Sequence, residues 1–323
     1  MDYRKIIKEI GRGKNHARDL DVDTARALYT AILRGDVPDL ELGGMLLALR
    51  IKGEGEAEMQ GFYTAMAQET LRLTPPERRP MPVVIPSYNG ARKQANLTPL
   101  LAMLLARLGF PVVVHGISED PDRIITETIL GLLGVEPARN EGQAQARLSE
   151  ALPVYIPISI LCPPMAKQLA LRWRLGVRNS AHTLAKLATP FEASSALRLA
   201  SVSHPEYLTR VARFFTTIGG KVLLMQGTEG EVYANPLRCP QINFIDGHGV
   251  HTLSERQPDS EPGSVIIPID KNAEETARWT ASCLAGQVAV PDALKRQLAC
   301  CFVATGRAHS LDVAQQEINL LLG

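Results

Sequence analysis

The sequence predicts an α/β protein, with a small N-terminal helical domain followed by a larger domain whose mostly parallel sheet is flanked by helices. Three observations support this fold class. The first 70 residues show helical periodicity and no two-residue alternation. Four prolines then fall within residues 75–82, where no regular element can persist. After them, short apolar runs alternate with helical stretches, which is typical of parallel strands joined by crossover helices.

The N-terminal helical domain is predicted over residues 1–74. Apolar residues recur at helical spacing over residues 4–10, 23–33, 40–51 and 54–71, and glycines and prolines separate these stretches. The domain should therefore be a bundle of four helices.

The α/β domain is predicted over residues 75–323. Apolar runs at residues 83–85, 112–114 and 221–225 predict buried strands. The sequence Ser-His-Pro-Glu at residues 203–206 has the form of a capping box and predicts a helix start. Further helices are expected over residues 95–108, 126–133, 274–284, 291–305 and 311–322.

The composition indicates a globular protein that has no disulfide or zinc cross-links. Of 323 residues, 45% are hydrophobic and 21% are charged, and the five cysteines are scattered in no zinc or disulfide pattern. The first ten residues lack the apolar core of a signal peptide, and the longest apolar run, residues 100–106, is too short to span a membrane. We therefore expect a cytoplasmic protein that does not enter a membrane.

The charge is unevenly distributed, although the net charge is only +1. Residues 78–118 contain five cations and no acid, and residues 151–228 contain nine cations and two acids. Such blocks can be ordinary solvated faces, or they can form a basic surface that faces an anion.

A family resemblance is carried by the helical stretch. Residues 46–54 read Leu-Leu-Ala-Leu-Arg-Ile-Lys-Gly-Glu, and Gly61, Ala65 and Met66 follow. This pattern resembles the N-terminal domain of anthranilate phosphoribosyltransferases and pyrimidine-nucleoside phosphorylases. Within that group the chain looks most similar to the YbiB-type proteins, DNA-binding relatives that have lost the substrate motifs. The resemblance implies the two-domain fold and a homodimer paired through the helical domain.

The phosphate-handling motifs of the enzymes are largely missing. The resemblance implies a glycine-rich loop after the first strand, yet residues 86–91 read Pro-Ser-Tyr-Asn-Gly-Ala, and only Asn96 and Thr98 match the end of that motif. Of the motif after the second strand, only His115 and Gly116 remain. Three carboxylates follow directly and disfavour a diphosphate: Glu119, Asp120 and Asp122.

The acidic pair that holds magnesium in the enzymes is also altered. Its first position reads Gly230, whereas Glu231 is kept, and a shift of one residue would make Glu229 a substitute. Arg172 matches the arginine that contacts the carboxylate of anthranilate. We expect Asn96, Thr98, His115, Gly116 and Arg172 to be remnants of the ancestral pocket, with no catalytic residue, no metal and no cofactor.

DNA, and by the same chemistry RNA, is the expected partner, because Lys and Arg that neutralise phosphates supply most of the affinity for nucleic acid. If residues 167–178 form one helix, then Lys167, Arg174 and Arg178 share a face. Aromatic residues make up only 5% of the chain, which argues against an extended base-stacking platform. The candidate binding residues are Arg92, Lys93, Lys167, Arg174, Arg178, Lys186, Arg198, Arg210, Arg213 and Lys221.

Two other functions stay open. One is a glycosyltransferase or phosphoribosyltransferase that acts on an unknown aromatic or ribosyl substrate, in which case magnesium and phosphoribosyl pyrophosphate would be required. The other is a regulatory protein that senses a small carboxylate through Arg172.

Overall fold

A computed structural model describes residues 1–13, 15–261 and 263–322 and divides the chain into two compact units. The helical unit comprises Met1–Leu71 and Ile158–Pro190, and the α/β unit comprises Arg72–Pro157 and Phe191–Gly323. The predicted division at residue 74 is therefore incomplete. Residues 158–190, which the sequence placed in the α/β domain, fold with the N-terminal helices.

The elements of both units follow in chain order. The helices of the first part are α1 (Tyr3–Ile10), α2 (Val22–Arg34), α3 (Asp39–Lys52), α4 (Glu56–Glu69), α5 (Thr98–Arg107), α6 (Thr126–Leu132) and α7 (Glu141–Arg147). Then come α8 (Ile158–Leu161), α9 (Pro163–Ala170), α10 (Arg172–Leu175), α11 (Ala181–Leu184), α12 (Leu208–Ile218), α13 (Ala273–Leu284), α14 (Asp292–Thr305) and α15 (Leu311–Leu322). The strands are β1 (Val83–Ser87), β2 (Val112–Gly116), β3 (Val154–Pro157), β4 (Leu197–Val202), β5 (Lys221–Gln226), β6 (Ile242–Asp246) and β7 (Gly249–Ser254).

The helical unit is built around the close approach of α2 and α4. The rings of Tyr29 and Phe62 stack with their centroids 4.8 Å apart. At Gly61 a Cβ would lie 2.5 Å from the carbonyl oxygen of Val22, so only glycine permits this spacing. In the same unit α1 packs against α3, and the segments α9 and α11 pack against α4.

The family motif at residues 46–54 ends in a buried ion pair of the helical unit. The Lys52 ammonium lies 2.6 Å from the carboxylate of Glu58, which is fully buried, and 2.6 Å from that of Asp19. The Glu58 carboxylate also accepts the backbone N–H groups of Leu20 and Gly55. A lysine at position 52 is therefore required by a buried charge.

The α/β unit contains a seven-stranded sheet in the order β3-β2-β1-β4-β5-β6-β7. The strands from β3 to β5 are parallel, and β6 and β7 add an antiparallel hairpin. Helices α5 and α14 contribute to the apolar core against the sheet. The parallel part brings the C-terminal ends of β1, β2, β4 and β5 to one edge, where open α/β sheets usually bind ligands.

Most predicted elements are confirmed, but the predicted capping box is wrong. The four N-terminal helices and the three closing helices lie within two residues of their predicted bounds. After Ser203, a 3₁₀ turn at Pro205–Tyr207 comes first, and α12 begins only at Leu208, without a side-chain cap. Within the described part of the chain, no helix has both the length and the apolar character needed to span a bilayer.

Candidate functional site

The candidate site lies where the loop after β1 meets the loop after β5. In an α/β fold of this topology, backbone N–H groups at the C-terminal ends of parallel strands are suited to hold phosphate. Here the second loop, residues 227–231, brings two carboxylates to those N–H groups, which belong to residues some 140 positions earlier in the chain.

Glu231 is the buried centre of this arrangement, with 1% of its surface exposed. One carboxylate oxygen accepts the N–H groups of Asn89 and Gly90, each at 2.8 Å. The other oxygen accepts the hydroxyls of Ser87 at 2.6 Å and Thr98 at 3.1 Å. All of these donors therefore point at a charge that belongs to the protein itself.

Glu229 accepts hydrogen bonds from the next N–H groups of the loop after β1. Its carboxylate accepts the backbone N–H of Arg92 at 2.7 Å and that of Lys93 at 3.0 Å. Its backbone has a φ of +52°, a left-handed conformation that few non-glycine residues adopt. Ala91 donates its N–H to the carbonyl of Ile124. The N–H groups of residues 89 to 93 are thus all engaged within the protein.

The predicted remnants in the α/β unit are all buried. Asn96 donates to the Thr126 hydroxyl at 2.8 Å and accepts the N–H of Thr98 at 3.0 Å, so it fixes the start of α5. His115 is fully buried, and its Nδ1 lies 2.7 Å from the hydroxyl of Tyr88. At Gly116 a Cβ would lie 1.9 Å from the Ser87 carbonyl oxygen, so glycine is kept for the close approach of β1 and β2.

The acidic residues of the site do not fit a magnesium ion. The carboxylates of Glu229 and Glu231 are turned toward N–H and hydroxyl donors, whereas a magnesium site needs oxygens that are free to face the metal. Asp120 accepts the N–H of Asp122 at 3.0 Å, and Glu127 accepts the Ser118 hydroxyl at 2.6 Å. The described residues hold no group of three or more His, Cys, Asp or Glu side chains that could bind a metal.

The fifth predicted remnant, Arg172, lies in the helical unit, whereas the other four lie in the α/β unit. It belongs to what we call the basic segment, Ile158–Pro190. This segment contains no acid and five cations: Lys167, Arg172, Arg174, Arg178 and Lys186.

Residues 167–178 do not form one helix, so the condition under which three of the cations would share a face is not met. Helix α9 ends at Ala170, α10 covers only Arg172–Leu175, and Gly176 takes a left-handed φ of +73° that ends it. Lys167, Arg174 and Arg178 therefore do not share a helical face. Lys167 and Arg174 are exposed, and Arg178 is half-buried.

Three cations of the basic segment lower the pKa of His182. Burial, followed by the charges of Arg178, Arg172 and Lys186, lowers the pKa of His182 from 6.5 to about 4. These positive charges therefore act on one place in the helical unit. In the sequence they are spread over fifteen residues, so their joint effect on the pKa of one histidine cannot be predicted from it.

The candidate binding cations in the α/β unit differ in how far their side chains are exposed. Arg92 and Lys93 are exposed in the β1–α5 loop, Arg210 and Arg213 are exposed on α12, and Lys221 is half-buried. Arg198 is different, because only 3% of its surface is exposed. Its guanidinium lies 5.0 Å from the Phe215 ring centroid and donates to the carbonyl of Gly219. The prediction that Arg198 contacts nucleic acid is therefore wrong, since a buried guanidinium cannot reach a phosphate.

Sequence reasoning also missed a candidate residue. Trp173 is exposed within the basic segment, and the Arg172 guanidinium lies 4.5 Å from its ring centroid. The signal was present in the tripeptide Arg-Trp-Arg at residues 172–174, inside a stretch without acids.

Comparison with known proteins first defines the class. Residues 4–70 match the family described as the helical bundle domain of the glycosyl transferase family. The fold of the whole chain is that of anthranilate phosphoribosyltransferase. The enzyme of Thermus thermophilus superposes with a TM-score of 0.76 at 23% identity, covering 100% of this chain and 94% of its own. The Saccharomyces cerevisiae enzyme, solved in complex with PRPP and Mg, gives a TM-score of 0.72 at 13% identity, covering 99% and 93%.

The chain itself belongs to the YbiB family. It is 66% identical to YbiB of Escherichia coli (strain K12) over 319 residues, which cover 99% of each chain. The anthranilate phosphoribosyltransferase of Saccharolobus islandicus is more distant, with 26% identity over 284 residues that cover 86% of this chain and 78% of the enzyme.

Proposed function

We propose that this protein is a homodimer that binds nucleic acid through its phosphodiester backbone, without sequence preference and without transferase chemistry. The observation that carries the proposal is the basic segment. It holds five cations and no acid, it folds as part of one unit, and two of its cations, Lys167 and Arg174, have exposed side chains. Such a concentration of positive charge matches the dense phosphates of a nucleic acid strand.

One acid of the helical unit, Asp39, pairs only weakly with a cation of the basic segment. Asp39 lies 3.8 Å from Arg174, but both side chains are mostly exposed, so this ion pair contributes little. Glu54, in the turn before α4, accepts the Ser180 hydroxyl of the segment at 2.6 Å. A phosphate can therefore replace Asp39 at Arg174 at small cost.

The α/β unit offers a second set of cations. Arg92, Lys93, Arg210 and Arg213 present exposed side chains, and Lys221 lies at the start of β5. Contacts from such side chains to phosphates carry no sequence information. DNA and RNA both provide this backbone, so the proposal includes both, and it places the protein in the cytoplasm with them.

The homodimer is supported by an apolar stripe on α3. Leu40 and Ile51 are 85% and 70% exposed, and Leu47 lies between them on the same helical face. Gly43 lies on this face too, and a Cβ there would meet nothing within 4 Å. Exposed leucine and isoleucine side chains around a small residue favour close packing of a second α3.

A salt titration tests the proposal. Binding of the protein to a random-sequence oligonucleotide is measured by filter binding or gel shift at several salt concentrations. Six phosphate contacts give a slope of about −5 when the logarithm of the binding constant is plotted against the logarithm of the salt concentration. The double variant K167A/R174A should reduce that slope by about 2, because each lost phosphate contact removes about one unit. The matched control is Arg256→Ala, an exposed arginine paired with Asp259, which should leave the slope unchanged. Absence of binding at low salt, or a flat salt response, overturns the proposal.

The second candidate function, phosphoribosyl transfer, has the fold in its favour. The occupied N–H groups of residues 89–93 argue against it, since a diphosphate would have to displace two carboxylates. A thermal-shift experiment with phosphoribosyl pyrophosphate and magnesium separates the two functions. We expect no change in Tm, and a rise of several degrees would support the transferase.

A further inference from the structure

A cleft between α14 and α15 brings polar side chains of both helices together. Its volume is about 270 Å³, and the residues that line it all belong to the α/β unit. Ile318 is fully buried and forms its apolar inner wall. The other lining residues are two cations, one acid and two amides: Lys295, Arg296, Asp292, Gln315 and Asn319. The proposed function assigns nucleic acid to none of them, so the cleft needs a separate explanation.

The charged side chains of the cleft do not pair with one another. Asp292 precedes Lys295 by three residues and Arg296 by four, the spacings at which opposite charges on a helix usually attract each other. Within the described part of the chain, however, no hydrogen bond or ion pair engages any of these three side chains. Glu317, the acid next to Ile318 in α15, is held by the Arg307 guanidinium at 2.6 Å. All three charged groups are therefore available to a ligand.

The two cations of the cleft are partly withdrawn from water. Lys295 and Arg296 are both half-buried. Burial raises the pKa of the Cys239 and Cys300 thiols, and the nearby charge of Arg296 acts in the opposite direction on both. Because these thiols stay protonated at neutral pH, they do not neutralise the guanidinium. A cation in such surroundings gains most from an anionic partner, so two neighbouring cations suit a ligand with two anionic groups.

The carboxylate of Asp292 determines what else the ligand carries. A ligand with anionic groups alone, such as a phosphate ester, leaves this acid unpaired beside a like charge, whereas an ammonium group pairs with it. We infer that the cleft binds a small amino dicarboxylate, the class to which the acidic α-amino acids belong. Its two carboxylates pair with Lys295 and Arg296, and its ammonium group pairs with Asp292. This inference goes beyond the proposed function and does not depend on it.

Calorimetry with L-glutamate as the probe tests the class of ligand. We expect the full chain to bind it at pH 7, and excess L-glutamate to raise the Tm. Three analogues each lack one charged group: glutarate has no ammonium, and L-glutamine and 4-aminobutyrate have one carboxylate each. Each should bind at least about tenfold more weakly, because one charge-assisted hydrogen bond is lost. If L-glutamate does not bind, or if glutarate binds as tightly, the inference is wrong.

Two variants assign the charges of the ligand to the residues of the cleft. Lys295→Gln should weaken the binding of L-glutamate at least about tenfold. Asp292→Asn should also weaken L-glutamate but strengthen glutarate, because it removes the partner of the ammonium group and the repulsion of the carboxylates. The matched controls Lys8→Gln and Asp312→Asn change exposed residues outside the cleft and should leave both affinities within about twofold.

The outcomes distinguish this inference from the proposed function. Circular dichroism and Tm confirm that each variant folds. If Asp292→Asn changes the binding of L-glutamate and glutarate equally, no ammonium group meets Asp292, and the inference is wrong. If the controls weaken L-glutamate as much as the cleft variants do, binding is not located in the cleft, and the inference is again wrong. Loss of nucleic acid binding concerns other residues and overturns only the proposed function.

Discussion

The carboxylate of Glu231 accepts the backbone N–H of Gly90 at 2.8 Å, across 141 positions of sequence. Together with Glu229 it accepts the N–H groups of the loop after β1. That loop lies at the C-terminal ends of the parallel strands, where α/β sheets usually bind ligands. Because the negative charge is covalently part of the chain, the loop is closed without any ligand. Backbone N–H groups of the kind that can bind an anion here stabilise the fold by binding two of its own carboxylates.

The first prediction concerns the stability that Glu231 provides. Replacing it by alanine leaves two buried N–H groups and two hydroxyls without their acceptor, and each such group costs about 1–3 kcal/mol. We expect Glu231→Ala to lower the free energy of unfolding by at least about 3 kcal/mol, measured by urea denaturation. Glu150→Ala, an exposed glutamate, should change it by less than about 0.5 kcal/mol.

The same loop should regain anion binding when both carboxylates are removed. In the double variant E229A/E231A the freed N–H groups form an empty nest for an anion. Pyrophosphate should then raise the Tm of the double variant and leave that of the wild type unchanged. An equal rise in both proteins would mean that the wild-type N–H groups are available, contrary to the structure.

The sequence predicts the helices well because their signals are local. Helix α2, for example, begins after Asp21, whose side chain accepts the N–H of Thr24, and ends at Gly35 with a left-handed φ. The hairpin of β6 and β7 was not predicted, because the sequence Gly-His-Gly-Val-His at residues 247–251 indicates only a glycine-rich loop. The unit to which residues 158–190 belong could not be predicted either, since packing between distant segments decides it.

The same limit applies to the candidate site. Residues 86–91 contain a single glycine, which can be read from the sequence, but the acceptors of the N–H groups that follow cannot. The acceptors of those N–H groups come from residues about 140 positions away. In the same way, Arg198 looks like any other cation in sequence, and only its burial against Phe215 shows that it is structural.

The second prediction concerns pH and His182. Its pKa of about 4 in the folded protein lies below its ordinary value of 6.5, so the unfolded chain takes up the proton first as the pH falls. The free energy of unfolding should therefore decrease between pH 6.5 and 4, by up to about 3 kcal/mol. His182→Gln removes this contribution, and the difference between the two proteins isolates it from the carboxylates. Parallel curves for both proteins between pH 6.5 and 5 would contradict the assignment.

The third prediction concerns the family motif at Lys52. Lys52→Met leaves the buried carboxylate of Glu58 without its counterion, and breaking such a pair costs about 3–5 kcal/mol. We expect a corresponding loss in urea denaturation. Lys5→Met, which replaces an exposed lysine of α1, serves as the control and should change the free energy of unfolding by less than about 0.5 kcal/mol. A loss of similar size in the control would point to a general effect of charge.

The fourth prediction separates a structural arginine from a binding one. Arg198→Ala should lower the free energy of unfolding by about 2 kcal/mol, because it removes the buried guanidinium that contacts Phe215 and Gly219. The same variant should leave the salt slope of nucleic acid binding unchanged. Arg213→Ala changes an exposed residue of α12, so it should leave the free energy of unfolding nearly unchanged and reduce the slope by about 1. If Arg198→Ala changes the slope in a protein that remains folded, its exclusion from the binding surface is incorrect.

The fifth prediction concerns the apolar stripe of α3. Leu47→Glu places a charge in the middle of the proposed contact between two copies, where no counterion is supplied, so the dimer should dissociate. Light scattering after size-exclusion chromatography should give the mass of a dimer for the wild type and of a monomer for the variant. The control Leu320→Glu changes an exposed leucine of α15 that lies in the α/β unit, and it should remain dimeric.

Loss of the dimer should also weaken binding to long strands more than to short ones. Two copies of the basic segment on one strand act at high effective concentration, whereas a monomer has only one copy. For Leu47→Glu we therefore expect the affinity for a long oligonucleotide to fall about tenfold or more, while a strand too short to reach both copies binds as before. A variant that stays dimeric, or that loses affinity equally for both lengths, would show that α3 does not join the two binding surfaces.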